Sequence, residues 1–278
     1  MLPIASSTPR PQTHTRAQLQ SAKEASMVGC RAPKVRILLT AFRPFRPSYT
    51  GGTLWEYNTS ELLVKYAVAS VDGRQWLSRL KEEGVEVIFD EDEDLLHVTF
   101  AAVERKAAEI GRRAEAENLD IIIHFGQHSV NDVVLVETTA RNRNGTSPDV
   151  ADTLGDQADI SYGIQCLGQH ISMEKSDDFC LPSTLPVSEL LKIEGTRKSD
   201  NAGSYLCNNM FFKSRLILEK CYPTTWAGFI HVPSPPDAKA TREEGNTWIS
   251  GEAGQKFVQT IRSIIETSAR EKLSKGGV

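Results

Sequence analysis

Apolar residues along the chain fall into short unbroken blocks rather than a strict alternation with polar ones. Val35-Arg36-Ile37-Leu38-Leu39-Thr40, Asp120-Ile121-Ile122-Ile123-His124-Phe125-Gly126, Val133-Val134-Leu135-Val136-Glu137 and Trp226–Val232 read as strands covered on both faces. Val85–Phe89 reads as a further strand. The block at 120–126 is expected to stop at its glycine. Between these blocks the pattern turns helical. Helices are predicted from Asn58 or Ser60 to about Ala69 with Ser60 as the cap, over Trp76–Glu83, and over Phe100–Asn118, where Val103, Ala107 and Ile110 share a face. Others are predicted after Leu185-Pro186, over Ser204–Lys220 and over about Thr247–Lys272. Strands alternating with helices predict an α/β fold around a largely parallel sheet. Arg141–Cys180 reads as irregular, and no internal repeat is present.

Residues 1–34 break this pattern. They carry three prolines before residue 12, many Ser and Thr, and no apolar periodicity, so a disordered tail is expected. The folded part, 35–278, is expected to be a single domain ending in a helix. The tail has one acid, Glu24, against Arg10, Arg16, Lys23, Arg31 and Lys34, which is also the look of an organelle transit peptide; its prolines argue against the amphipathic helix such a peptide needs. It lacks the apolar stretch of a secretory signal.

Composition narrows the function classes. Of 278 residues, 40% are hydrophobic and 24% charged, a globular balance. A net charge of −4 speaks against a basic nucleic-acid footprint. No apolar run approaches the roughly 20 residues of a membrane helix. Five scattered cysteines, with no zinc-type spacing, suggest a reduced, cytoplasmic protein. Cys166, Cys180 and Cys221 have no motif around them and are expected to be structural. His124 and His128 lie across a strand end, a poor geometry for a metal pair. The acidic run Asp90–Asp94 reads as a solvated loop, because it lacks the turn-making glycine of a calcium loop.

Three residues carry candidate chemistry. Glu137 and His231 close strands, and sites in open α/β sheets gather at such ends. Cys207 falls in the first turn of a helix, where the dipole and free N–H groups favour a thiolate. An imidazole beside a thiol can take and return its proton, and a carboxylate on the other ring nitrogen fixes the tautomer. The three form a candidate Cys-His-acid hydrolase.

The words around these residues add a resemblance. AGSYLCN (Ala202–Asn208) and, two dozen residues after Cys207, GFIHVP (Gly228–Pro233) resemble the nucleophile and histidine motifs of the pyroglutamyl peptidase I family, the pyrrolidone-carboxyl peptidases. Upstream, TAFRPFRP (Thr40–Pro47) is similar to that family's opening TGFePFGG. GQHSVNDVVLVETTARN (Gly126–Asn142) aligns without a gap on the segment bearing its catalytic acid, and STLPVSELL (Ser183–Leu191) on the stretch before the cysteine motif. The resemblance covers about residues 35–236. It implies a three-layer α/β/α sandwich with a mixed, mostly parallel sheet. It also implies a cysteine exopeptidase that removes N-terminal pyroglutamate from peptides through a thioester. Cys207 would be the nucleophile, His231 the general acid and base, and Glu137 its orienter. Phe42 and Phe45 would sandwich the lactam ring, Gln127 would border it, and Tyr205 and Leu206 would offer backbone groups. No metal or organic cofactor is implied. Members include monomers and tetramers, so homo-oligomerisation stays open.

The chain departs from that family at the pocket walls. Arg46-Pro47-Ser48-Tyr49 replaces a glycine pair, with Gly51-Gly52 following later. Ser129, Val130 and Asn131 stand for two glycines and an arginine. Thr138 stands where an arginine follows the acid, and Arg143–Asp149 replaces an acidic, arginine-containing phrase. The triad survives all four changes. Two alternatives therefore stay open: an impaired relative that binds capped peptides or a protein partner, and a cysteine amidase of different specificity.

Overall fold

The buried strand pattern at Val35–Phe42 forms β1, with every side chain but one buried. A computed structural model of the chain describes residues 34–45, 56–128, 132–145, 170–176, 178–234 and 241–276. The tail expected over 1–34 lies outside the described residues except for Lys34. After β1 come α1 (Thr59–Ala69), α2 (Val71–Glu82), β2 (Val85–Ile88), β3 (Leu95–Leu96), α3 (Phe100–Ala116), β4 (Ile121–His128), β5 (Val134–Glu137) and β6 (Thr139–Arg141). They are followed by β7 (Cys180–Pro182), α4 (Val187–Leu190), β8 (Thr196–Ser199), α5 (Leu206–Cys221), β9 (Trp226–Pro233), α6 (Arg242–Ser250) and α7 (Glu252–Lys275).

The main sheet runs β2-β1-β4-β9-β5-β8, with β3 on β1 and a separate β6-β7 ribbon. Its pairs are parallel except β5 against β9. This is the mixed, mostly parallel sheet the sequence implied. One face carries Ile37, Leu39, Ile121, Ile123, Ile230 and Val232, packed with side chains of α1, α2, α6 and α7. The other carries Leu38, Ile122, Ala227 and Phe229, packed with α3 and α5. Burial of each such Ile, Leu or Phe contributes roughly 1.5–3 kcal/mol. That two-sided cover is why β1, β4 and β9 read as continuous apolar runs.

Several boundaries differ from expectation. The cap of α1 is Asn58 rather than Ser60: the Asn58 carboxamide oxygen accepts from the Ser60 N–H and hydroxyl. Helix α2 begins at Val71, capped by the Ser70 side chain, five residues before Trp76. The expected long C-terminal helix is two helices, because Gly251 is extended and separates α6 from α7. The acidic loop is only partly solvated. Asp94 is fully buried and pairs with Lys106 at 3.2 Å and Arg113 at 2.7 Å. Cys180 and Cys221 are exposed, at the start of the edge strand β7 and at the end of α5; Cys166 lies outside the described residues.

His124 serves the core. Its Nδ1 lies 2.8 Å from the Thr40 hydroxyl and its Nε2 2.9 Å from the Ser214 hydroxyl. Ser214 donates to the Phe211 carbonyl, so it accepts from Nε2–H, and the ring is neutral. Burial, with the charge of Lys106, pushes its pKa down to about 3. The unfolded chain binds a proton here below the ordinary pKa of about 6.5, and the folded chain does not until about 3. Stability from this site is therefore full above the unfolded value and lost as pH falls from there towards 3, by ~5 kcal/mol at most. Denaturant midpoints measured across that range should fall less steeply in His124→Gln than in the native chain.

Candidate active site

The site forms where β9 lies between β4 and β5. The β4–β9 register sets Gly126 beside His231. On the other flank Leu135 lies opposite His231, and Glu137 opposite Phe229. Residues two apart on a strand share a face, so the Glu137 and His231 side chains meet diagonally across the pair. Nδ1–H of His231 donates to Glu137 Oε1 at 2.7 Å, and both side chains are buried. Glu137 closes β5 as expected, and because β5 runs against β9 that end lies level with Phe229, two residues before His231. The Glu137 Oε2 atom has no hydrogen-bond partner among the described residues.

Cys207 is the second residue of α5 and is half-buried. Tyr205 caps this helix without a side-chain hydrogen bond, so the first-turn N–H groups keep their capacity to meet an anion. The thiol stands over Gly126, the register partner of His231, and with Nδ1 on Glu137, Nε2 is the ring nitrogen left to face it. Burial works against an imidazolium here, but Cys207 and then Glu137 outweigh it and push the His231 pKa up to about 9. Glycine at 126 makes room for the thiol. A Cβ there would lie 2.7 and 2.9 Å from Phe229 ring atoms and 2.9 Å from Cys207 Sγ. This glycine was read as a strand end, yet β4 continues through it to His128.

The remaining candidates take distinct places. Phe42 is buried with its ring 6.5 Å from that of Phe229. Phe45, past the end of β1, is half-buried against the same apolar cluster. Gln127 Oε1 accepts from the Thr59 N–H at the start of α1 at 2.8 Å, which leaves the amide nitrogen as its remaining donor. The Tyr205 ring meets Phe100 edge-on at 5.8 Å. The Leu206 side chain is buried, so only its backbone can face a ligand. Thr138 donates from its hydroxyl to the Ser199 carbonyl and ties β5 to β8. Ser129–Asn131 and Arg46–Gly52 lie outside the described residues.

Two neighbours escaped the sequence. The His128 ring centroid lies 5.2 Å from that of His231. Burial and then the His231 charge lower the His128 pKa, partly offset by Glu137. His124 faces Thr40 and Ser214, so the two histidines make no metal pair. Asn208, next to Cys207, bonds the backbone of Arg141 and Arg143. Its position within the recognised motif was its only sequence signal.

A family profile described as Pyroglutamyl peptidase matches residues 83–271. The chain belongs to the pyroglutamyl peptidase family. It is 24% identical over 243 residues to the pyrrolidone-carboxylate peptidase of Lactobacillus johnsonii, covering 85% of this chain and 95% of that protein. With the enzyme of that name from Streptococcus suis it is 25% identical over 192 residues, covering 66% of this chain and 83% of the other. Among solved structures, pyrrolidone carboxyl peptidase from Thermococcus litoralis matches with a TM-score of 0.60 at 24% identity, covering 87% of this chain and 96% of that one. Bacillus amyloliquefaciens pyroglutamyl peptidase I matches with a TM-score of 0.59 at 20% identity, over 86% and 98%. The mixed-sheet architecture is thus that of this peptidase family. Among the described residues no helix is long and apolar enough to cross a membrane.

Proposed function

We propose that this member of the pyroglutamyl peptidase family is a cysteine exopeptidase that removes N-terminal pyroglutamate from peptides, with residues 35–278 as its peptidase domain. The observation that carries this reading is the buried Glu137–His231 pair with the half-buried Cys207 thiol set beside it, assembled from β5, β9 and the first turn of α5. Cys207 attacks the pyroglutamyl carbonyl carbon. The oxyanion that forms is met by first-turn N–H groups of α5. His231, as imidazolium, protonates the leaving amine as the C–N bond breaks and a thioester forms. Water then attacks the thioester, its proton passing to His231, and pyroglutamate leaves with the thiolate restored. Glu137 holds the ring with Nδ1–H inward throughout. Phe42 and Phe45 line the flat ring, Gln127 borders it, and Tyr205 and Leu206 contribute backbone groups. A blocked, neutral ring suits such a mostly apolar pocket with few polar contacts.

The test is hydrolysis of a fluorogenic pyroglutamyl amide under reducing conditions. The native chain should cleave it, and Cys207 should alkylate faster than the other four thiols. Selective alkylation without cleavage would move the assignment to an amidase of another specificity. The His231 pKa also sets a limit. The leaving amine needs an imidazolium, which is present below about 9 and lost above it. A pH profile of kcat/KM should therefore fall on its alkaline side with a midpoint near 9. A midpoint near the ordinary histidine value would reject His231 as the acid.

A further inference from the structure

A cavity of about 560 Å³ opens beside the start of α5, lined by Arg141, Arg143, Asn144, Asn201, Gly203 and Ser204 among others. The reaction above uses none of these side chains. Their backbone is nonetheless fixed to the nucleophile. Asn208, the residue after Cys207, accepts from the Arg141 N–H at 2.9 Å and donates to the carbonyls of Arg141 at 2.9 Å and Arg143 at 3.0 Å. Asn209 holds the Asn144 side chain at 2.8 Å. On the opposite wall, Asn201 accepts from the N–H of Gly203, whose φ of 81° suits only glycine well.

The cavity is cationic. Both arginines are exposed, and no carboxylate stands among the lining residues. Arg141 donates to the backbone carbonyl of Asp200 at 3.1 Å, and among the described residues neither guanidinium has an ion-pair partner. The sheet order also separates the two walls. Phe42 ends β1 and Phe45 follows it, on the β4 side of His231. The cavity is built from the chain after β5 and after β8, on the other side. With the ring on the phenylalanines, as in the reading above, the wall left for the departing peptide is the one that Asn208 ties to Cys207.

Resting on the pyroglutamyl peptidase reading, we propose that Arg141 and Arg143 form a leaving-side subsite that binds a carboxylate within the first two residues after pyroglutamate. The pyroglutamyl ring is neutral and its nitrogen is blocked, so it offers the guanidiniums no charge. A carboxylate can come from an acidic side chain or from the C-terminus of a short peptide. Either would take charge-assisted, bidentate contacts from arginine.

The experiment compares kcat/KM for four peptides. Pyroglutamyl-Glu-Glu, -Gln-Gln and -Lys-Lys are amidated, and a second pyroglutamyl-Gln-Gln has a free C-terminus. The carboxylate-bearing peptides should exceed the amidated Gln peptide by about tenfold, and the Lys peptide should be slowest. The advantage should shrink at high salt. A gain confined to the Glu peptide assigns the side chain as the source; a gain confined to the free acid assigns the C-terminus. Arg143→Lys should keep the order, and Arg143→Glu should reverse it between acidic and basic peptides, which a merely structural residue would not do. Equal rates for all four peptides, or an unchanged order in Arg143→Glu, would overturn the subsite and leave the peptidase reading intact. Failure to cleave any of them would overturn both.

Discussion

Cys207→Ala lowers pyroglutamyl-amide hydrolysis by on the order of 10⁴-fold or more, while the thermal unfolding midpoint moves by no more than about 5 °C. The thiol is half-buried in the first turn of α5, so its loss leaves little cavity. His231 needs a more careful substitution. Alanine there would strand the buried Glu137 carboxylate, whose Oε1 has no other partner among the described residues, at a cost of about 3–5 kcal/mol. His231→Asn keeps a donor in reach of Glu137 and separates loss of rate from loss of fold. It should still lose about 10³-fold or more, since no group then carries the proton to the leaving amine. Glu137→Gln should cost less than either and move the alkaline midpoint down, because the carboxylate helps to raise the His231 pKa. Rates and a pH profile measured on folded protein decide this. Native turnover in Cys207→Ala would end the assignment, and native behaviour in Glu137→Gln would mean that another carboxylate orients the ring.

The second large effect is at Gly126, a residue with no chemistry of its own. Gly126→Ala sets a methyl group against Phe229 and Cys207 Sγ at less than 3 Å. Phe229 cannot yield. It is fully buried and packed on Phe42, Phe211, His124 and His231. The thiol must move instead, or the strands must part. Overpacking of this kind costs about 1–3 kcal/mol. A displacement of the nucleophile by about 1 Å costs on the order of 10²-fold in rate. The kcat/KM should therefore fall by on the order of 10²-fold at temperatures where the variant is still folded. A variant with native kcat/KM would show that the thiol does not need this space.

The sequence was most legible where burial is symmetric. Strands β1, β4 and β9 are covered on both faces, so their residues are mostly apolar and the strands could be read, though not the order in which they pair. Strand β8, Thr-Arg-Lys-Ser, could not be read, because an edge strand of polar residues is held only by its pairing with β5. The break at Gly251 was hidden by helical composition on both of its sides. Cys207 and His231 were legible through their motifs, and Glu137 through an ungapped alignment. The role of Gly126 was not, since it depends on two side chains about 80 and 100 residues away in sequence. Asp94 was misread for the same reason: its partners Lys106 and Arg113 lie on α3, and only the packed helix withdraws it from water. The cationic cavity likewise exists only once Asn208 joins the loop after β6 to the helix of the nucleophile.

The order of strands has a consequence for how the molecule comes into being. Strand β9 lies between β4 and β5 but leaves the ribosome nearly a hundred residues after them. Until it inserts, β4 and β5 have no common neighbour, and Glu137 has no imidazole to hold. Loop closure over such separations is slow relative to local helix formation. The last central strand to be synthesised is thus also the one that brings His231, and the nascent chain carries Cys207 in a helix that lacks its imidazole neighbour until the sheet closes.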